Sequence, residues 1–157
     1  SYFLVIIAFL FYFISYYLIL KPKQFLPLSD RKGYQRSNLN PKLVDDCKTA
    51  LIQAMEQDKL FKKGKLSIHF VSDTIGVPRQ YISEVLNIHM QTNFQDFVNT
   101  YRVQEFIKCL ESGDYQHYTL FGIANEVGFN TKSTFNATFK KIHGTTPQAY
   151  RNKISQE

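Results

Sequence analysis

The chain has 157 residues, which rules out more than one sizeable domain with an appendage, and its fourteen Phe and ten Tyr are ample for a core. Its two cysteines, Cys47 and Cys109, show no CxxC spacing and read as reduced, buried thiols of a reducing compartment. The net charge of +6 looks like a nucleic-acid signal, but residues 21–42 hold six Lys/Arg against one Asp, and residues 43–157 hold thirteen against twelve acids. The basicity belongs mainly to one short segment, so charge alone is weak evidence for DNA binding.

Residues 1–20, SYFLVIIAFLFYFISYYLIL, carry no charge and only two residues, Ser1 and Ser15, that are neither apolar nor aromatic. As a helix they would measure about 30 Å, one bilayer core, and are read as a transmembrane span. A secretory signal would need a positive start and a small-residue cleavage site, and neither is present. Tyr12, Tyr16 and Tyr17 suit an interfacial end. Lys21, Lys23, Arg31, Lys32 and Arg36 follow, which places the carboxyl-terminal side in the cytoplasm by the positive-inside rule. With Pro22, Pro27, Gly33 and Pro41, residues 21–42 read as a basic juxtamembrane linker that could reach about 70 Å if extended. The chain opens on Ser1 within the apolar run, which suits either initiator removal or a piece of a longer membrane protein.

From Pro41 the spacing predicts a helix to about Leu60, with Leu43, Val44, Cys47, Leu51, Ala54 and Met55 on one stripe. Asn40 is its expected N-cap, and Asp45 and Asp46 suit its first turn. Ser67 is the expected cap of a helix beginning at Ile68, Gly76 marks a turn, and Pro78 sits at the opening of the next helix, where its missing N–H costs nothing. Phe94 to Leu110 then reads as a connecting helix of about 25 Å, capped by Asn93, with a wide stripe of Phe94, Phe97, Val98, Tyr101, Phe106, Ile107 and Leu110. Arg102 falls on its polar side, where an ion pair with Glu105 or Glu84 competes with a DNA contact. Thr119 caps the next helix, in which Ile123, Ala124 and Val127 share a face. Gly128 makes a tight turn, and Phe135 and Phe139 lie one turn apart on the last long helix, leaving Lys132, Ser133 and Asn136 on its polar side.

The second helix-turn-helix pattern repeats the first. Val71, Ser72, Ile75 and Gly76 match Ile123, Ala124, Val127 and Gly128 at an offset of 52; beyond the turn Ile82, Leu86, Phe94 and Phe97 match Phe135, Phe139, Pro147 and Tyr150 at an offset of 53. One residue has been inserted in the second turn. A single such hairpin could be an ordinary helical pair, whereas two in register on a stiff connector suit recognition helices about one DNA turn, ~34 Å, apart.

With both motifs, the connector and the ending GFNTKSTFNATFKKIHGTTPQAYR in view, the chain resembles the AraC/XylS family of transcription regulators over about residues 43–153. The resemblance implies a seven-helix domain that binds two adjacent major-groove segments. Carried over by position, the first recognition helix is Arg79 to Ile88, with Gln80, Ser83 and Glu84 aimed at bases. The second is Thr131 to Ile142, with Lys132, Ser133 and Asn136 so aimed. Glu84 and Ala137 depart from the residues often found at their positions. A membrane segment ahead of the domain looks like the membrane-tethered branch of the family.

Lys132 can donate to guanine, Asn136 can pair with adenine, and Glu84 can accept from cytosine N4 or repel a nearby phosphate. Arg79, Tyr81, Thr131 and Thr134 suit phosphate contacts. His69, His89, His117 and His143 have no metal-ligand spacing, and no catalytic constellation or cofactor loop appears. The expectation is therefore an all-α chain, not an enzyme and without metal or cofactor: a transmembrane helix at 1–20, a basic linker at 21–42, and a double helix-turn-helix DNA-binding domain at 43–157. It would be a transcription regulator on a bacterial inner membrane, with double-stranded DNA, a second copy of itself and RNA polymerase as partners. The rival is a membrane-anchored cytoplasmic protein-interaction module of the same fold.

Overall fold

A computed structural model of the chain describes Ile7, residues 39–115 and residues 117–154. Apart from Ile7, the expected span at 1–20 lies outside these residues, as does most of the linker; among the described ones no helix is long and apolar enough to cross a membrane. Between residues 39 and 154 the described residues form seven α-helices: α1 Pro41–Glu56, α2 Ile68–Ile75, α3 Arg79–Glu84, α4 Phe94–Glu111, α5 Leu120–Glu126, α6 Lys132–His143 and α7 Pro147–Ile154. A 3-10 turn, Leu60–Lys62, precedes α2, and a π turn, Val85–His89, continues α3.

Local chemistry sets most of the helix starts. The side chain of Asn40 accepts from the Lys42 amide at 3.1 Å, Ser67 from Phe70 at 3.2 Å, Asn93 from Asp96 at 2.9 Å and Thr119 from Gly122 at 2.9 Å. Each satisfies a backbone donor that the first helical turn would otherwise leave free. Two points differ from the sequence reading. α1 stops at Glu56, short of Leu60, and Lys59 takes a left-handed φ of 48° before the 3-10 turn. Asp45 and Asp46 fall beyond its first turn. Pro78 is the N-cap of α3, with an extended ψ of 135°, so the helix opens at Arg79 as the sequence reading had it.

The buried residues divide into two clusters, and α4 serves both. Phe97 and Val98 join α1, Val71, Ile82, Val85, Leu86 and Phe61 in the first; Val103 and Phe106 join Ile123, Ala124, Val127, Phe129, Phe135 and Phe139 in the second. Phe97 and Phe106 are nine residues apart, which at 3.6 per turn sets them on opposite sides of the helix. The single wide stripe expected of α4 is in fact two stripes on two faces, because one helix closes two cores. Cys47 is fully buried, whereas Cys109 is only half-buried, not enclosed as expected.

Between the two clusters α4 buries two polar residues, Asn99 and Arg102. The expectation that Arg102 lies on a polar face is overturned. It is 5% exposed, donates from Nε to the Phe61 carbonyl at 2.8 Å and from a terminal nitrogen to the Lys63 carbonyl at 2.8 Å, and lies 5.6 Å from the Phe129 ring. Glu105 instead pairs with Lys59 and Lys62, at 3.1 and 3.0 Å. Burial alone would raise its pKa, but the two ammonium groups outweigh that and hold the carboxyl below its ordinary value.

Candidate nucleic-acid interface

The second motif is built on aromatic packing. Phe135 and Phe139 of α6 lie 4.8 and 5.7 Å from Phe106, and Phe135 lies 5.3 Å from Phe129, ring centre to ring centre. Edge-on and tilted aromatic pairs of this kind add to the burial of the rings themselves. With that face consumed, Lys132, Ser133, Asn136, Ala137 and Lys140 are left exposed. Lys132, Asn136 and Lys140 line a groove of about 860 Å³ together with Phe121 and with Gln148 and Arg151 of α7.

Thr131 is the N-cap of α6, so the helix runs from Lys132 to His143 and not from Thr131 to Ile142. The Thr131 hydroxyl accepts from the Thr134 amide at 3.2 Å, donates to the Thr134 hydroxyl at 2.8 Å and lies 3.3 Å from that of Ser133. Thr131 and Thr134 also line a separate cavity of about 300 Å³ with Gly64, Gln95, Arg102 and Asn130. At the far end, Lys141 donates to both carboxylate oxygens of Asp96 at 2.9 Å, and that bond holds the Asp96 carboxyl below its usual range.

In the first motif, Gly76 takes φ +70° at the end of α2, and the Ser72 hydroxyl donates to the Val77 carbonyl at 2.7 Å, closing the turn. α3 is α-helical only as far as Glu84; the expected recognition helix through Ile88 continues as the π turn, closed by the Met90 amide on the Val85 carbonyl at 3.0 Å. Ile82, Val85 and Leu86 are buried, Arg79 and Gln80 are exposed, and Tyr81, Ser83 and Glu84 are half-buried. Arg79 is 3.1 Å from His69 Nε2, so its guanidinium is steered by α2. Asn87 donates to the Ser83 carbonyl at 2.7 Å and reaches the Ser83 hydroxyl at 3.2 Å.

Glu84 fits base reading less well than its neighbours. Its Oε1 is shut off from solvent and has no hydrogen-bond partner among the described residues. A buried acceptor left unpaired costs about 1–3 kcal/mol, so Glu84→Gln is expected to raise stability by up to about 1 kcal/mol in urea unfolding. A lower midpoint would show that the carboxylate is held by something else.

The repeat also shows what the sequence reading passed over. At the offset of 53, Arg79 answers to Lys132, Gln80 to Ser133, Ser83 to Asn136 and Asn87 to Lys140. Asn87 and Lys140 are both exposed and lie one helical turn beyond the residues singled out. The offset already in hand was the signal that could have found them.

A family model described as a helix-turn-helix domain matches residues 71–153, more than half of the chain. The chain belongs to the AraC-type helix-turn-helix family. Among curated proteins, this helix-turn-helix chain is similar to the transcriptional regulatory protein HptR of Staphylococcus aureus, 26% identical over 98 residues that cover 62% of the chain and 37% of HptR. The chain thus spans little more than a third of that relative. Among solved structures it is similar in fold to the C-terminal domain of AraT, a response regulator from Geobacillus stearothermophilus, with a TM-score of 0.55 and 23% identity over 74% of the chain and 88% of that structure. A similar likeness holds to the DNA-binding domain of AdpA, a global transcriptional factor solved with a target DNA: TM-score 0.56, 18% identity, 69% of the chain and 91% of that domain.

Proposed function

We propose that this helix-turn-helix chain is a sequence-specific transcription regulator that reads two adjacent major-groove segments of double-stranded DNA with α3 and α6. The observation that carries the reading is the paired exposure of Arg79 and Lys132 and of Gln80 and Ser133, matched residue for residue on two helices whose apolar faces are used up by two cores. Lys132, Ser133 and Asn136, with Gln80 and Ser83, face bases, while Glu84, whose Oε1 is shut off from solvent, is left out of the reading set; Arg79, Tyr81, Thr131 and Thr134 position the duplex through phosphates. Residues 1–20 tether the domain to a bacterial inner membrane, supported by their lack of charge and by the cations that follow them. A signal at the membrane then alters the orientation or self-association of the domains and so their hold on a promoter, with RNA polymerase as the further partner. The near-neutral charge of residues 43–157 favours modest affinity for one chain and a gain from pairing on repeated sites.

Titrating the chain with promoter DNA at two salt concentrations tests this. Salt-sensitive, sequence-selective binding supports the regulator, and no binding at low salt supports a protein-interaction module. Lys132→Ala is expected to weaken specific binding by about 1–3 kcal/mol and to relax preference at one base pair. An unchanged profile across single-base variants of the site would remove Lys132 from the reading surface.

A further inference from the structure

Two cores joined by one helix do not by themselves hold two recognition helices at a set separation, since an 18-residue helix can bend and its ends can swivel. The seam between the cores supplies the missing constraint. Arg102 spans it from the middle of α4. Its two hydrogen bonds, both 2.8 Å, go to the Phe61 and Lys63 carbonyls, in the loop that leads into the first motif. On the other side the guanidinium meets the turn of the second motif. A side chain at Gly128 would bring its first carbon to 2.9 Å from Arg102 Nε and 3.0 Å from the Lys62 carbonyl, and the Phe129 ring lies 5.6 Å away. The next residue, Asn130, donates to the Gly64 carbonyl at 2.6 Å, and the one after it, Thr131, caps α6. One loop therefore bears on both motifs: it runs into α2, the first helix of one, and touches the residues immediately ahead of α6 in the other.

We propose that Arg102 is the positioning residue that fixes the spacing between α3 and α6, so that the chain selects DNA carrying two short boxes at a single separation. The inference rests on the DNA-binding reading for its consequence but not for its geometry. A buried cation held by main-chain dipoles, without a carboxylate, keeps its full charge, since arginine does not lose its proton in proteins. Five donors in a rigid plane resist reorientation in a way that a flexible ammonium does not.

The test compares the full chain with Arg102→Gln and Arg102→Lys. Spin labels on cysteines placed at Gln80 and Ser133, with Cys109→Ser and no DNA present, report the separation of the two helices directly. The unaltered seam should give one narrow distance distribution, Arg102→Gln a broad one and Arg102→Lys a partial recovery. In selection from random DNA, the wild type should return two boxes at one spacing; Arg102→Gln should return the same boxes at several spacings. Its affinity for the wild-type site should fall about tenfold, while binding to a single box stays within about twofold, as expected when effective concentration is lost without loss of contacts. A residue that only adds stability would lower the yield of bound DNA at unchanged spacing. Should Arg102→Gln not fold, Asn130→Ala loosens the same seam from its exposed side and should broaden both readouts less. Equal distance widths, or a single spacing retained by folded variants, overturns the proposal. A broadened distribution in a protein that binds no DNA upholds the clamp and removes the DNA-binding reading instead.

Discussion

Gly128→Val should cost the fold about 2–6 kcal/mol, as the sum of two separate penalties. The residue sits at φ +103°, where a β-branched side chain is strained by about 1–3 kcal/mol. A first side-chain carbon there would also lie 2.5 Å from the Phe61 carbonyl oxygen and 3.0 Å from that of Lys62. These are main-chain atoms of a loop already bound by Arg102, so the clash cannot be relieved by turning a rotamer and adds about 1–3 kcal/mol of overpacking. Gly76, the matching residue of the first motif, separates the two penalties. Its φ is +70° and nothing lies within 4 Å of the position its side chain would take. Gly76→Ala should therefore show the backbone penalty alone, about 1 kcal/mol. Urea unfolding of both variants measures the difference; equal midpoints would mean that the second turn does not press on the loop at all.

Phe106→Ala should cost about 3–5 kcal/mol, the usual range for deleting a buried ring. Phe106 is fully buried and is the residue by which α4 enters the second core, against Phe135 and Phe139. Its loss should be felt unevenly. The first core closes on Phe97 and Val98, on the other side of α4. Amide hydrogen exchange is expected to accelerate in α5 and α6 well before α2 and α3. Uniform acceleration through all four helices would show that the two clusters behave as one cooperative core.

The parts of this fold legible in the sequence are those decided by near neighbours. Asn40, Ser67, Asn93 and Thr119 cap their helices through hydrogen bonds spanning two or three residues, so a short window contains the whole interaction. The duplicated apolar positions were legible too, since Val71, Ile82, Leu86 and Phe97 in one copy and Ile123, Phe135 and Phe139 in the other are all buried. The exposure of Arg79, Gln80, Lys132, Ser133 and Asn136 followed as their complement.

Arg102 was illegible for the opposite reason. Its acceptors are main-chain oxygens 41 and 39 residues away, and a carbonyl has no signature in an amino-acid code. Helical periodicity put the arginine on the wet side of α4 because it allowed for one core, and the wet side between two cores is an interior. The π turn at Val85–His89 escaped similarly, since the same residues would satisfy an α-helix. At the interface, the half-burial of Ser83 and Glu84 arises from packing that no spacing rule reaches.

Because the arginine is gripped by the peptide chain itself, its hold on the loop does not depend on which side chains residues 61 and 63 carry. Substitutions at Lys62 or Lys63 leave those carbonyls in the chain, although they give up the Lys62 bridge to Glu105 and the Lys63 contact with the Phe70 ring, and Phe61 is packed inside with 3% of its surface exposed. Gly64 is the exception, since a methyl group there would collide with the Asn130 amide oxygen. Divergent copies of this domain could therefore change the residue at position 63 and still keep α4 tied to the loop through the same two carbonyls.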